Sequence, residues 1–220
     1  MMSSFLADHR DDLIRRCAAK VAKRSLRQAT ERQLGSGIPL FLAQLQRTLE
    51  AEERHQPTES LRISGAPGGD ALSVSEMGVS AMQHGRELLE LGFSVDQVVH
   101  GYGDLCQAVT DLAFELDAPF AVNEFRTLNR CLDNGIANAV AAFSAQRDAS
   151  AAARTQAQAS ERTEVLLHSL RSSLATATYA VVALELGNLP ITGSTGAVLK
   201  KSLADMRSQV GGPTLEELQG

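Results

Sequence analysis

Leu167-His168-Ser169-Leu170-Arg171-Ser172-Ser173-Leu174-Ala175-Thr176-Ala177-Thr178-Tyr179-Ala180-Val181-Val182-Ala183-Leu184 carries apolar residues at 167, 170, 174, 177, 181 and 184. Those alternating gaps of three and four are the a and d positions of a supercoiled helical bundle. His168 then falls at position b, beside the seam and open to water, where its ring nitrogens are accessible to an outside reactant. A turn, Gly187-Asn188-Leu189-Pro190-Ile191-Thr192-Gly193-Ser194, follows, and Leu199, Leu203, Met206 and Val210 give a returning helix its own stripe. Two helices of this length cannot bury their apolar faces on each other alone. The expectation is a homodimer in which two hairpins make a four-helix bundle.

Upstream of the hairpin the composition favours helix throughout. The chain has 220 residues, 44% hydrophobic but only 4% aromatic, and is rich in Ala, Leu, Gln and Arg. This predicts an all-α protein with small side chains at its helix contacts. A formal net charge of -5 argues against nucleic acid as a partner. Arg15, Arg16, Lys20, Lys23, Arg24 and Arg27 form a basic run, but Asp8, Asp11 and Asp12 precede it, as the helix dipole favours; it reads as a solvated face. The three cysteines, Cys17, Cys106 and Cys131, lack metal-ligand spacing and read as buried small hydrophobes. No stretch has the roughly twenty apolar residues of a membrane span, and Met-Met-Ser-Ser-Phe-Leu lacks a signal-peptide core, so the expected location is the cytoplasm without membrane contact.

Working back to the start, residues 4–27 read as one amphipathic helix capped by Ser4. A turn at Gly35 and Gly37 is expected next, then a helix opened by Pro39 and ending near Arg54. Residues 55–70, with Pro57, Pro67 and Gly68-Gly69, read as an exposed loop. Residues 73–91 resume helical spacing and stop at Gly92. Ser94 with Gln97 forms a capping box for a helix over 95–116. In that helix Gly101 and Gly103 read as sites where another helix crosses closely. Pro119 precedes a long helical run from near Asn123. Over 145–163 its seam positions are small or polar, so it reads as a weakly held connection. Unbroken to 187, that helix would be roughly 100 Å long. The expected division is a sensor-like head over 1–145, a connecting helix over 146–163, the hairpin over 164–210 and a tail over 211–220.

Two segments resemble a known family. Gly92-Phe93-Ser94-Val95-Asp96-Gln97-Val98-Val99-His100-Gly101-Tyr102-Gly103-Asp104-Leu105-Cys106-Gln107, with Glu124-Phe125-Arg126-Thr127-Leu128-Asn129-Arg130-Cys131-Leu132-Asp133, resembles the N-terminal sensor region of a group of soluble bacterial sensor histidine kinases. That region is similar to the non-haem, globin-like sensor domains of stressosome co-antagonist proteins. Gly193-Ser194-Thr195-Gly196-Ala197-Val198-Leu199 marks the hairpin as similar to the dimerisation and histidine-phosphotransfer region of the same kinases. The resemblance implies a globin-like head, a dimeric four-helix bundle, signalling of the two-component type, and His168 as phosphoacceptor. It also implies site positions at Ser169, Arg171 and Ser172, and partners in a kinase ATP-binding domain or a response regulator.

The family run is His-Glu-Leu-Arg-Asn, and here it reads His168-Ser169-Leu170-Arg171-Ser172. Ser169 lacks the carboxylate that would orient or deprotonate the imidazole. Ser172 is a shorter substitute for an Asn tied to phosphate positioning. No nucleotide-binding motif occurs after Val210, so the chain is read either as a fragment of a longer kinase or as a shortened relative, inactive toward ATP by itself.

Other chemistry reads at background level. His84 and His100 lie where a haem globin places ligands, but lone helical histidines are common and no cofactor is expected. Asp11-Asp12 and Glu52-Glu53 read as surface carboxylate pairs with no metal site. Gly65 to Gly69 lacks the Lys-Ser/Thr of a phosphate loop, and no Gly-x-Ser-x-Gly elbow occurs. Two functions of different class follow: a signalling module whose His168 carries or once carried phosphate, and a non-catalytic regulatory scaffold that dimerises and binds a kinase or response regulator.

Overall fold

The computed structural model describes residues 1–22, 31–69 and 74–211, and among them the side chains other than those of 22 and 31–36. Every regular element in these ranges is an α-helix: α1 (Met2–Asp8), α2 (Arg10–Ala22), α3 (Glu31–Glu53), α4 (Pro57–Ser64), α5 (Glu76–Glu90), α6 (Val95–Glu115), α7 (Val122–Leu186) and α8 (Ser194–Val210). No described helix is long and apolar enough to cross a membrane. The chain divides into two compact units, Met1–Ser150 and Ala151–Gly220.

The first unit packs six helices and the start of α7 around one core. Leu6, Leu13, Leu42, Leu45, Met77, Val98, Val109 and Leu128 are at most 2% exposed and come from six helices. Leu42, Leu45 and Leu49 of α3, spaced three and four apart, turn one stripe into that core. Aromatic rings close its corners edge to face, Phe41 on Tyr102 at 5.7 Å and Phe5 on Phe120 at 5.1 Å. Ion pairs latch α2 to α6 along the outside, Arg16 to Glu115 at 2.6 Å and Lys20 to Asp111 at 3.1 Å. Part of the basic run is therefore a clasp between helices, whereas Lys23, Arg24 and Arg27 lie outside the described residues.

Helix starts follow their local chemistry where the caps are unambiguous. The Ser75 hydroxyl accepts from the Gly78 amide at 3.0 Å, and the Gln97 side chain reaches back to the Ser94 amide at 3.0 Å. Gly92 takes a φ of 76° after α5, as a helix stop requires. The N-terminal helix differs from expectation. It is broken at His9 into α1 and α2, and Ser4 lies inside α1, donating to the Met1 carbonyl at 2.9 Å instead of capping.

The expected turn at Gly35 and Gly37 is helical, as is part of the expected loop over 55–70. Gly35 and Gly37 lie inside α3 rather than in a turn before it, and Pro39 lies within that helix rather than opening it. Gly37 is small because a Cβ there would come within 2.5 to 2.9 Å of the His84 ring of α5. Pro39 forfeits one helical hydrogen bond, and its own carbonyl accepts from Arg10 at 3.2 Å. Within 55–69, Pro57 opens α4 at the first helical position, and Ile63 is 1% exposed, so hydrophobic burial turns that segment into structure.

Gly101 and Gly103 are also placed differently from expectation, since a Cβ on either would meet nothing within 4 Å. The close crossings are made by other glycines. A Cβ on Gly85 would lie 2.2 Å from the Ala139 carbonyl oxygen, and one on Gly135 would lie 2.8 Å from the Tyr102 ring. These bring α5 and α6 against α7.

In the second unit, α8 returns on the last turns of α7. Leu170, Ser173, Ala177, Ala180 and Leu184 face Leu199, Ser202 and Met206, and these eight are buried or half-buried. At the turn, Gly196 is required because a Cβ would lie 1.8 Å from the Ile191 carbonyl oxygen. At the start of the second unit, every residue over 151–168 is exposed.

Candidate functional site

His168 stands on the exposed side of α7, and Arg171 and Ser172 beside it are exposed as well. Ser169 is half-buried and occupied: Gln209 of α8 donates to its hydroxyl at 2.7 Å. This bond ties the open end of the hairpin together one residue from His168. Ser169 thus acts as a register pin between helices, and nothing in its chemistry supplies the charge to draw a proton from an imidazole. Gln209 lay beyond the residues singled out in the sequence, because a hydrogen bond between residues 40 positions apart leaves no local pattern.

The heptad divides into two layers. The d positions Leu170, Ala177 and Leu184 turn toward α8, as do Leu199 and Met206 on the facing helix. The a positions turn away: Leu167 is 44% exposed, Leu174 57% and Val181 38%, with Leu203 at 45% and Val210 at 68% on α8. One apolar layer is spent inside the hairpin and a second is bare.

A second candidate lies in the first unit. A cavity of about 150 Å³ is bounded by residues of α2, α3, α5 and α6, among them Phe41, Met77, His84, Leu88, Gly101 and Leu105. Its lining is mainly apolar, and no Lys or Arg contributes to it among the described residues. Burial pushes the His84 imidazole below its ordinary value, opposed by the Glu87 carboxylate, so the ring is neutral at pH 7. No hydrogen bond to His84 forms among the described residues. The helical spacing of α5 placed His84 near this face, but only the crossing of α3 at Gly37 fixes the ring. His100 is exposed on α6 and does not line the cavity; the two histidines do not converge on one site.

The Glu52-Glu53 pair is the clearest correction. Arg130 donates to Glu52 Oε1 at 2.6 Å, Ser60 donates to the same oxygen at 2.9 Å, and Thr127 donates to Oε2. Glu53 accepts from Ser3 at 2.6 Å. Glu53 is exposed, whereas Glu52 is half-buried and held by all three donors. Burial raises the Glu52 carboxyl, but the bonds from Thr127, Arg130 and Ser60 outweigh it and hold it below the usual glutamate range. Asn134 extends the network, donating to the carbonyls of Ser64 at 2.8 Å and Ala66 at 3.0 Å. These groups fasten α4 to α3 and α7, a structural task.

The thiols are built into the packing. Cys17 and Cys131 are fully buried, and burial pushes both up to about 12, which removes them as nucleophiles at neutral pH. No group of three His, Cys, Asp or Glu side chains placed to hold a metal occurs among the described residues. Compared with protein-family models, curated proteins and solved structures, the chain matches none of them.

Proposed function

We propose that the chain is a signal-transduction module of the two-component type. In this reading residues 1–145 form a globin-like sensor head, and residues 164–210 form a hairpin that pairs with a second copy into a four-helix bundle and presents His168 as phosphoacceptor. The observation that carries it is the bare a layer of the hairpin. Leu167, Leu174, Val181, Leu203 and Val210 hold heptad register on both helices yet have nothing to bury them within the hairpin. Side chains of this size are worth about 1.5–3 kcal/mol each when fully buried. A self-complementary layer of this kind is met by a second copy about a twofold axis. Position b then stays outside the bundle and leaves the imidazole open to a phosphoryl donor.

The phosphotransfer step forms a P–N bond between one imidazole nitrogen and the γ-phosphorus of ATP, breaks the P–O bond to ADP, and releases the proton of the other ring nitrogen to water. The ATP-binding domain that delivers the nucleotide would act on the hairpin as a separate domain, and a response regulator would accept the phosphoryl group. The experiment mixes the full chain with labelled ATP and the ATP-binding domain of a sensor histidine kinase. Acid-labile label is expected on the chain and is lost in His168→Ala; label that persists in this variant ends the phosphoacceptor assignment.

The Ser169 to Gln209 bond favours a second reading, a non-catalytic scaffold that dimerises and binds a kinase or response regulator. It occupies the residue where a catalytic carboxylate would act. A dimer that binds an ATP-binding domain without acquiring label identifies the scaffold.

A further inference from the structure

We propose that the cavity of the first unit is a binding site for a neutral molecule of one aromatic ring bearing one hydrogen-bonding group, of the phenol class. Its ring would lie among Phe41, Met77, Leu88 and Leu105, and its polar group would meet His84. The inference stands whether or not His168 takes phosphate.

Size comes first. A cavity of about 150 Å³ matches the engineered apolar cavities that hold one benzene ring. Its polarity sets the rest. Ligand sites combine a mainly apolar lining with a few placed polar groups, and here the described lining offers a neutral imidazole with one donor and one acceptor, neither hydrogen-bonded among the described residues. The lining is mainly apolar, so burying a carboxylate there would cost far more than burying a neutral hydroxyl.

Gly101 provides an independent sign. It lies inside α6, where glycine costs about 1 kcal/mol against alanine, yet no neighbour comes close enough to require the missing Cβ. What it does instead is border the cavity. Gly37 serves the same space from α3, since its missing Cβ is what lets the His84 ring occupy its place. Two helical glycines from different elements thus preserve an opening and the polar group within it.

The full chain is titrated with phenol, toluene and benzoate by ligand-observed NMR. Phenol is expected to bind at least about tenfold more tightly than the other two. Gly101→Leu, which fills the space, should weaken phenol by at least about tenfold, whereas Gly103→Ala, two residues on in the same helix and outside the cavity lining, should leave it within about twofold. His84→Leu should bring phenol and toluene level. Circular dichroism confirms that each variant is folded, and if Gly101→Leu is not, His84→Leu carries the test. Absence of phenol binding, binding undiminished in folded Gly101→Leu, or a phenol preference that survives His84→Leu would overturn the proposal.

Discussion

Glycine shows how a residue's meaning depends on what lies across from it. In helices α5 and α6 the residues Gly85 and Gly101 look alike in sequence, yet Gly85 lies against the Ala139 carbonyl and Gly101 borders open space. Gly85→Ala is therefore expected to lower stability by about 1–3 kcal/mol through overpacking against backbone. Gly101→Ala is expected to raise it by about 0.5–1 kcal/mol through helix propensity. Urea unfolding checks both, and a Gly85→Ala variant as stable as the parent would contradict the α5 to α7 crossing. Glu52 gives a second contrast. Its carboxyl is held below its ordinary value in the fold, so it contributes stability above the unfolded-state pKa that is lost as pH falls through the lower folded-state pKa. Glu52→Gln should cost about 1–3 kcal/mol at pH 7, leaving Arg130 without its charge partner. The difference from the parent protein should shrink as the pH drops below the ordinary glutamate range. Sequence reading placed Glu52 on the surface because its partners Thr127 and Arg130 are 75 and 78 residues away. His168 was read correctly as exposed, because a heptad assigns the outward positions together with the inward ones.

Whole elements were legible where periodicity and caps agreed, and misread where punctuation residues dominated. The helices α5 and α6 end or begin where Gly92 and the Ser94-Gln97 capping box say they should. Helix α3 extends through Gly37 and Pro39, since burial of Phe41 and Leu42 outweighs the local cost of those residues, and α4 starts at Pro57 because burial of Ile63 fixes a segment that Pro57 is suited to open. In the hairpin, the a and d positions were legible as one seam, but their separation into a spent and a bare layer needed the position of α8. That separation makes a specific prediction. Leu174→Glu places a charge in the middle of the bare layer while leaving the α7 to α8 contact intact. In sedimentation equilibrium it should weaken self-association by about 2–4 kcal/mol or more, roughly thirtyfold to a thousandfold. Ala175→Glu, on the outer side of the same helix, should leave association unchanged. A parent chain that sediments as a monomer at all concentrations would remove the dimer.

At the scale of the whole molecule, what distinguishes this chain is the stretch that lacks tertiary support. Helix propensity alone holds residues 151–168, all of them exposed, between a head with one continuous core and a hairpin whose apolar layer is half used. Most helical stability in proteins comes from packing of an apolar face rather than from propensity, and local opening concentrates where buried apolar contacts are few. Arg154 and Arg162 both lie in it. Limited trypsin digestion should therefore cut first at these two arginines, ahead of Arg62, which is tied to Glu59 at 2.6 Å on the folded head. The head fragment should keep its helical circular dichroism after the cut, because its core residues come from Met2 to Phe143. If pairing of two copies continues upstream from the hairpin into this stretch, dilution below the dimerisation range will speed the cut and Leu174→Glu will speed it further. A rate that is the same at every concentration and in that variant confines pairing to the hairpin itself. Cleavage within α5 or α6 before Arg154 and Arg162 would show that the head is the less stable unit.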